Sequence, residues 1–210
     1  MLTPGNKKLG GHRIWGFGLP SGTAAGCPGM TPTCRRSCYA VRTEGYRPAA
    51  AAKYRRNLAL SRRRDFARRV RAVLVAHAVR VVRVHTGGDF YSARYAWKWL
   101  AVMRRSPRVR FFLYSRSWRV PAIRPILAAM ATLSNCRVWF SCDRDTGLPT
   151  AVPPGVRVAW LMADADDAPP AGADLVFRVH RLRKHPLVAV NGVPVCPAED
   201  GLPRATPPTC

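Results

Sequence analysis

Residues 81–89, VVRVHTGGD, decide the fold, because a short apolar β-type run passes there directly into a polar, glycine-rich turn. The same arrangement recurs downstream, where apolar runs at 109–114, 138–140, 156–161 and 175–179 each end in polar residues. Stretches at 93–105 and 122–133, which separate the first three runs, have the composition and spacing of helices. Strands that alternate with helices predict βα units and a parallel sheet.

Two further elements complete the predicted domain. A strand at 13–19 precedes the others, and the Ala/Arg-rich segment 49–80 has an apolar face at helical spacing. We therefore expect an α/β fold of about six βα units, arranged as a partial (β/α)6-type barrel or an open parallel sheet. The predicted domain comprises residues 1–193, and residues 194–210 form an irregular, Pro-rich, Cys-containing tail that packs on it.

Polar residues follow the predicted strands, at the edge where ligands bind in parallel α/β folds. The residues expected to contact a cofactor at this rim are Gly87, Gly88, Asp89, Ser115, Ser117 and Asp143. Glycine lets a backbone approach a ligand closely because it has no Cβ atom. Structural roles compete with this interpretation: the Gly87–Asp89 turn could simply be tight, and Ser117 could cap a helix.

Three cysteines, Cys27, Cys34 and Cys38, are packed into twelve residues. Thiolates this close can be gathered by one loop around a single centre, so residues 27–38 are predicted to form a metal-binding cysteine loop. Three thiolates leave the fourth position of a zinc ion or a four-iron cluster to another ligand or to chemistry. The arginines at 35, 36 and 42 would lower the thiol pKa and offset the negative charge of a cluster.

Seven cysteines cannot all pair as internal disulfides, because the number is odd. Cys196 and Cys210 lie among prolines in the tail, which suits a segment ordered by metal, and both are predicted metal ligands. Cys142 or His180, at the predicted rim, could complete such a site. Cys136, at the opposite end of the same predicted strand as Cys142, is expected to be a small core residue.

The charge of the chain is strongly positive, with 35 basic and 11 acidic residues and a formal net charge of +24. This balance favours an anionic partner, most simply nucleic acid bound through an Arg-rich surface. A coding bias towards arginine on solvated faces is the competing explanation. The N-terminus lacks the apolar stretch of a signal peptide, and no apolar run reaches membrane-spanning length. We therefore expect a cytoplasmic protein that has no membrane partner.

Several blocks of the sequence resemble the phage gene product 88 family. They are Cys27-Pro28-Gly29 with Cys34 and Cys38-Tyr39-Ala40, Gly88-Asp89-Phe90-Tyr91-Ser92, Tyr114-Ser115-Arg116-Ser117-Trp118 and residues 141–147, SCDRDTG. The layout of this family is similar to that of radical S-adenosylmethionine enzymes. That resemblance implies a 4Fe-4S cluster held by Cys27, Cys34 and Cys38, with S-adenosylmethionine on the open iron. It also implies that Gly87, Gly88 and Asp89 position the methionyl amino group.

Two classes of function follow from these features. The first is an iron–sulfur phage-type protein, whose more specific form is a radical S-adenosylmethionine-like enzyme that modifies nucleic acid or protein. The second is a non-catalytic, basic nucleic-acid-binding protein stabilised by zinc or by a cluster. A glycine–acid turn opposite the cysteines slightly favours the enzyme, because a simple zinc-binding module does not need one.

Overall fold

The computed structural model describes residues 1–5, 14–182 and 187–196. Its main element is a seven-stranded sheet in which the strands follow one another in chain order. The strands are β1 (Thr3–Pro4), β2 (Ile14–Phe17), β3 (Val81–Val84), β4 (Arg110–Ser115), β5 (Cys136–Cys142), β6 (Val156–Met162) and β7 (Leu175–Arg178). Only β1 is antiparallel to its neighbour, and β2 to β7 are parallel throughout. The mixed α/β class and the mostly parallel sheet are therefore confirmed.

Six α-helices lie between the strands: α1 (Pro32–Ser37), α2 (Tyr39–Tyr46), α3 (Pro48–Arg62), α4 (Phe66–Ala76), α5 (Ala93–Arg104) and α6 (Arg124–Ala131). The segment 49–80, predicted as one helix, is two helices with a break between Arg62 and Phe66. Arg63 there adopts an extended backbone (φ −65°, ψ 150°). The Asp65 carboxylate accepts hydrogen bonds from Arg63 and Arg69, which stabilises the bend and the start of α4.

The alternation of strands and helices stops after β5, so the expectation of six βα units is wrong in number. The described connections from β5 to β6 (143–155) and from β6 to β7 (163–174) contain no helix. Both are rich in proline, which has no N–H for a helical hydrogen bond and clashes with the preceding turn. In the described part of the chain, β1 and β7 are the edge strands of the sheet, and barrel closure is not observed.

One face of the sheet is covered by helices. Phe66 and Val70 of α4, Trp99 of α5 and Leu127 of α6 belong to the same buried cluster as alternate strand residues such as Val82. Cross-strand pairing places Val84, Leu113 and Val138 side by side on this face. The main hydrophobic core therefore lies between the helices and one surface of the sheet, as expected for βα units joined in chain order.

The opposite face carries two small clusters, one around Trp139 and one around Phe112, and among the described residues neither cluster contains a helix residue. This face is concave. Tyr114 on β4 and Phe177 on β7 are three strands apart, about 14 Å in a flat sheet. Their ring centroids nevertheless lie 4.7 Å apart, so the strands curl towards this side.

The chain beyond β7 adds a small hairpin, β8 (Ala189–Val190) and β9 (Val193–Pro194). Val195 then pairs with Val176, and the Cys196 N–H donates to the Val176 carbonyl, so the start of the predicted tail extends the edge of the sheet. Within the described residues, we find no helix whose length and apolar character would let it cross a bilayer.

Candidate functional site

The cysteine loop follows β2 and is built from a turn and two short helices. Thr31 begins α1: its hydroxyl accepts a hydrogen bond of 3.0 Å from the Cys34 N–H, and Pro32 occupies the first helical position. This is a standard helix start, because proline fixes φ and the Thr31 side chain satisfies an otherwise unpaired N–H. Cys34 therefore lies within α1, and Cys38 lies at the junction of α1 and α2.

A buried polar cluster attaches this loop to the end of β5. The Thr31 hydroxyl donates to Asp143 Oδ2 at 2.6 Å, and the Arg116 guanidinium donates to the same oxygen and to Thr31 Oγ1. Asp143 is 0 % exposed and Arg116 is 6 % exposed. We call Thr31, Arg116 and Asp143 the loop clamp. It joins residues from three separate chain segments, so it fixes the cysteine loop relative to β4 and β5.

A second buried carboxylate, Asp89, joins the ends of β3 and β4. Its Oδ1 accepts from the Phe90 N–H and the Ser115 hydroxyl, both at 2.7 Å. Its Oδ2 accepts from the backbone N–H groups of Arg116 and Ser117, at 2.7 and 3.0 Å. Burial raises the pKa of Asp89, and these hydrogen bonds oppose the rise. Asp89 thus organises the rim through contacts inside the protein.

Glycines allow the loop and the rim to approach closely. A Cβ atom on Gly29 would lie 2.0 Å from the Arg116 carbonyl oxygen, so only glycine lets the cysteine loop contact the end of β4 there. Gly88 has a φ of +72°, and a Cβ atom would lie 2.6 Å from Leu19 Cβ. The predicted Gly87–Asp89 turn therefore packs tightly against the segment that leads into the cysteine loop.

His85, just before this turn, was not singled out by the sequence, yet it occupies a strained position. Its φ is 66°, in the left-handed region that residues other than glycine rarely adopt. Nε2 lies 2.9 Å from the Tyr95 hydroxyl, whereas the buried Nδ1 has no hydrogen-bond partner among the described residues. Burial lowers the pKa of His85 to about 3, so its side chain is neutral at physiological pH.

The three loop cysteines are half-buried, and they interact electrostatically. Burial raises the pKa of Cys27 to about 12, and charge on Asp89, Cys34 or Cys38 would raise it further. Burial also raises the pKa of Cys34, while the Arg116 guanidinium lowers it. The arginine that acts on Cys34 is therefore one from the end of β4. The sequence instead predicts this role for the neighbouring arginines 35, 36 and 42.

The other predicted ligands lie apart from this loop. Cys142 faces the helix-covered side of the sheet, and Cys136 is a buried core residue there, as predicted. Cys196 packs on the concave face against Trp139, Ala159 and Leu175. The side chain of His180 and all of Cys210 lie outside the described residues. In the part of the chain that is described, no group of three or more His, Cys, Asp or Glu side chains is arranged to hold a metal ion.

Of the predicted rim residues, the structure brings together Asp89, Ser115 and Ser117 in one network and Asp143 in the loop clamp. Ser117 Oγ is buried without a hydrogen-bond partner among the described residues. Sequence reasoning missed Thr31 and Arg116. Thr31 three residues before Cys34, followed by Pro32, was a readable helix-start signal. Arg116 offered no such signal, since its surroundings in sequence resemble those of many exposed arginines.

The fold and the rim together define the class of this protein: a curved, mostly parallel α/β sheet whose carboxyl edge holds a docked cysteine loop. The family model for gene product 88 matches residues 1–205. The chain belongs to the gene product 88 family, so that part of the sequence-based resemblance is confirmed.

Two relatives from mycobacteriophages are similar to this chain. The Gene 88 protein of Mycobacterium phage L5 is 32% identical over 140 residues, which covers 61% of this chain and 57% of the relative. The Gene 88 protein of Mycobacterium phage D29 is 33% identical over 140 residues, with the same coverage of 61% and 57%. The match thus spans little more than half the length of these relatives. No solved structure matches the chain.

Proposed function

We propose that the cysteine loop binds an iron–sulfur cluster through Cys27, Cys34 and Cys38. The observation that carries this proposal is the placement of three half-buried thiols on one loop that is clamped to the carboxyl edge of the sheet. Ligand sites of parallel α/β proteins lie at this edge. Thiolate sulfur is the usual protein ligand of iron–sulfur clusters, and three thiolates suit a four-iron cluster with one open iron.

The chemistry of the donor set fits such a centre. Burial raises the pKa of Cys34, but the Arg116 guanidinium opposes this rise and would partly offset the negative charge of a thiolate-bound cluster. Because the thiols do not form a metal-binding group in this structure, binding requires the three side chains to converge. The clamp holds the start of α1 in place for such a centre, because the Thr31 hydroxyl accepts from the Cys34 N–H and donates to Asp143.

The finer proposal is a radical S-adenosylmethionine-like enzyme that modifies nucleic acid or protein in the host cytoplasm. A bound cluster with an open iron would supply one-electron chemistry and a coordination site for the amino and carboxylate groups of S-adenosylmethionine. Of the cofactor contacts predicted here, the Gly88 N–H already donates to Ser21 and the Gly87 carbonyl already accepts from the Leu19 N–H. The buried Ser117 hydroxyl has no hydrogen-bond partner among the described residues and is the group left to contact the cofactor in this proposal. Asp89, Ser115 and Asp143 would not contact the cofactor directly in this proposal. They would position the rim around it, because their described hydrogen bonds join the strand ends and the cysteine loop.

The test is anaerobic reconstitution with iron and sulfide, followed by visible absorption and electron paramagnetic resonance with and without S-adenosylmethionine. The wild-type chain is compared with a Cys27→Ala/Cys34→Ala/Cys38→Ala variant. A Cys136→Ala/Cys142→Ala variant is the matched control, because both residues face the helix-covered side of the sheet. We expect a four-iron signal in the wild type and the control and its loss in the loop variant. A signal that shifts with S-adenosylmethionine supports the enzyme.

Zinc is the alternative occupant of the same loop. A colourless protein that carries one zinc per chain, lost in the loop variant, would overturn the iron–sulfur proposal and keep the metal centre. Metal retained equally by the loop variant and the control would overturn the site itself. The Cys196→Ala variant tests the predicted tail ligand separately, and it is expected to leave the loop signal unchanged, because Cys196 packs against Trp139 and Leu175.

A further inference from the structure

We propose that the exposed face of α2 binds a single strand of nucleic acid and presents it to the cysteine loop. Tyr39, Arg42 and Tyr46 follow one another at intervals of three and four residues, so they share one face of this helix. All three side chains are exposed, and we call them the α2 stripe. The stripe places a guanidinium group between two aromatic rings on the outside of the candidate site.

The two rings of the α2 stripe can be reached from solvent. Eight large apolar or aromatic side chains are exposed in the described part of the chain, and three of them, Tyr39, Val41 and Tyr46, lie on α2. Tyr39 is 52 % exposed and Tyr46 is 66 % exposed. The Tyr39 hydroxyl donates to the Thr86 carbonyl at 2.5 Å, which holds its ring over the end of β3. A Cβ atom on Gly45 would meet no described atom within 4 Å, so the space beside the stripe is open.

The charge around the α2 stripe is of one sign. Arg35 on α1 and Arg47 at the end of α2 are both exposed, and among the described residues neither they nor Arg42 forms an ion pair. Glu44 is the one acidic residue in the first 64 positions of the sequence. It lies on the other side of α2 from the stripe, where its carboxylate accepts a hydrogen bond from the Ser21 N–H. Three guanidinium groups without a carboxylate partner are complementary to a phosphate backbone.

One exposed carboxylate from another segment approaches α1, and it faces an arginine outside this set. Asp145 accepts a hydrogen bond from the Thr33 N–H, which holds the pKa of Asp145 below its usual range, and Arg36 contributes to this effect. The Arg36 guanidinium also donates to the Thr33 hydroxyl. Arg36 is therefore partly compensated within the protein, and we do not include it in the proposed surface.

Exposed rings beside unpaired arginines favour a single strand as the occupant. The bases of a single strand can stack on the tyrosine rings while its phosphates contact the guanidinium groups. The bases of a duplex already stack on one another and present only their edges in the grooves, so the rings would gain no stacking partner there. A single strand thus uses both the charge and the exposed aromatic area of the surface.

The α2 stripe adjoins two of the candidate cluster ligands. Cys38 lies at the start of α2 and is followed directly by Tyr39, and Cys34 lies about one turn earlier, in α1. A strand bound to the stripe would therefore pass beside the cysteine loop. The inference deepens the proposed function by naming nucleic acid as the substrate class of that site. It rests on the proposed function for the chemistry done on the strand, but not for the binding of the strand.

The test is fluorescence anisotropy of a labelled single-stranded oligodeoxythymidylate titrated with the full chain at several salt concentrations. The charge variant is Arg35→Gln/Arg42→Gln/Arg47→Gln. We expect it to bind about tenfold more weakly than the wild type, and its slope of log K against log salt to fall by about 2, because three phosphate contacts are lost.

The matched control removes the same charge from exposed positions just before β4, at the amino edge of the sheet: Arg104→Gln/Arg105→Gln/Arg108→Gln. Its affinity should stay within about twofold of the wild type. Equal losses in the charge variant and this control would show that net charge alone attracts the oligonucleotide and would overturn the proposed surface. Competition by duplex DNA or polyglutamate as effective as that by unlabelled single strand would also overturn it.

A second pair of variants tests stacking. Tyr46→Ala removes the more exposed ring of the stripe, whereas Tyr46→Phe keeps the ring and removes only the hydroxyl. We expect Tyr46→Ala to weaken binding about fivefold or more and Tyr46→Phe to stay within about twofold of the wild type. Wild-type affinity in Tyr46→Ala would contradict the proposal, because the ring would then have no part in binding.

The binding proposal and the iron–sulfur proposal can fail separately. The same preparations are reconstituted with iron and sulfide as described above. Binding that depends on the α2 stripe, without a four-iron signal, supports this inference and overturns the iron–sulfur proposal. A four-iron signal in a chain whose binding does not depend on the stripe overturns only this inference.

Discussion

The two buried carboxylates of the rim are held in different ways. Asp89 accepts hydrogen bonds from neutral groups only: two hydroxyl or amide donors on one oxygen and two backbone amides on the other. Asp143 faces the Arg116 guanidinium and the Thr31 hydroxyl, which come from the end of β4 and from the cysteine loop. The Asp89 region shapes the ends of adjacent strands, whereas the Asp143 region ties a distant loop to the sheet by charge.

The strongest test of this comparison removes the clamp cation. In Arg116→Met, Asp143 keeps a buried charge that has lost its counter-ion, so we expect the free energy of unfolding to fall by about 3–5 kcal/mol in urea titrations. Arg119→Met is the matched control, because Arg119 is exposed and donates one hydrogen bond to the Gly29 carbonyl. If both variants lost the same free energy, the charge pair would have no special part in the clamp.

Asp89→Asn tests the carboxylate that is held by neutral hydrogen-bond donors only. An Asn amide group would face backbone N–H donors that now point to Oδ2, so two of them would lose an acceptor. We expect a loss of about 2–3 kcal/mol in the free energy of unfolding, measured in the same way. Asp145→Asn, which removes a charge from an exposed acceptor of the Thr33 N–H, should cost clearly less. A larger loss of free energy in Asp145→Asn than in Asp89→Asn would contradict the stabilising role assigned to the buried Asp89 carboxylate.

Thr31→Val removes the clamp hydroxyl and the cap of α1 while keeping the side-chain shape. The expected cost is about 1–2 kcal/mol, and Thr31→Ser should recover most of it because serine is an equally good cap. Thermal unfolding measures this cost. In addition, the rate of Cys34 modification by a thiol reagent should rise in Thr31→Val only. An unchanged rate would mean that the hydroxyl does not hold the loop.

The smallest expected effect concerns pH and lies in the Asp89 region, where His85 Nδ1 is 4.0 Å from Asp89 Oδ1. The pKa of His85 is lowered to about 3 in the folded chain, against about 6.5 unfolded. As the pH falls below 6.5, His85 binds a proton in the unfolded state but stays neutral in the folded state. The free energy of unfolding therefore falls. Between pH 6.5 and 5.5 we expect a loss of about 1 kcal/mol that is absent in His85→Asn. Parallel pH profiles for the two proteins would contradict this assignment.

Much of the sheet could be predicted from the sequence, since its strands are short apolar runs bounded by polar residues. The run 81–84 matches β3, and the runs that begin at 109, 138, 156 and 175 each fall on a parallel strand. The prediction of about six βα units failed in number where Pro-rich connections, rather than helices, follow β5 and β6. Periodicity identifies an element that is present, but it carries no signal for a connection that runs as a loop.

The candidate site was harder to predict, because burial of a charged side chain depends on contacts made across the fold. Arg116 is one arginine among many, and its pairing with Asp143 exists only because β4 and β5 are neighbours. The Gly88–Asp89 turn was recognised, yet the internal hydrogen bonds of Asp89 could not be read from its neighbours. The clustering of Cys27, Cys34 and Cys38 was readable because it is local. Their assignment as cluster ligands stays a prediction.

The loop clamp also has a consequence for the order of folding. Neighbouring parallel strands are consecutive in the chain, so the sheet can grow by adding one strand at a time. The hydrogen bond between Thr31 and Asp143, in contrast, spans 112 residues. Contacts of such long range form late, because closing the intervening chain costs entropy. The cysteines would thus remain open to solvent during most of folding, and a metal could reach them before the hydrogen bond between Thr31 and Asp143 forms.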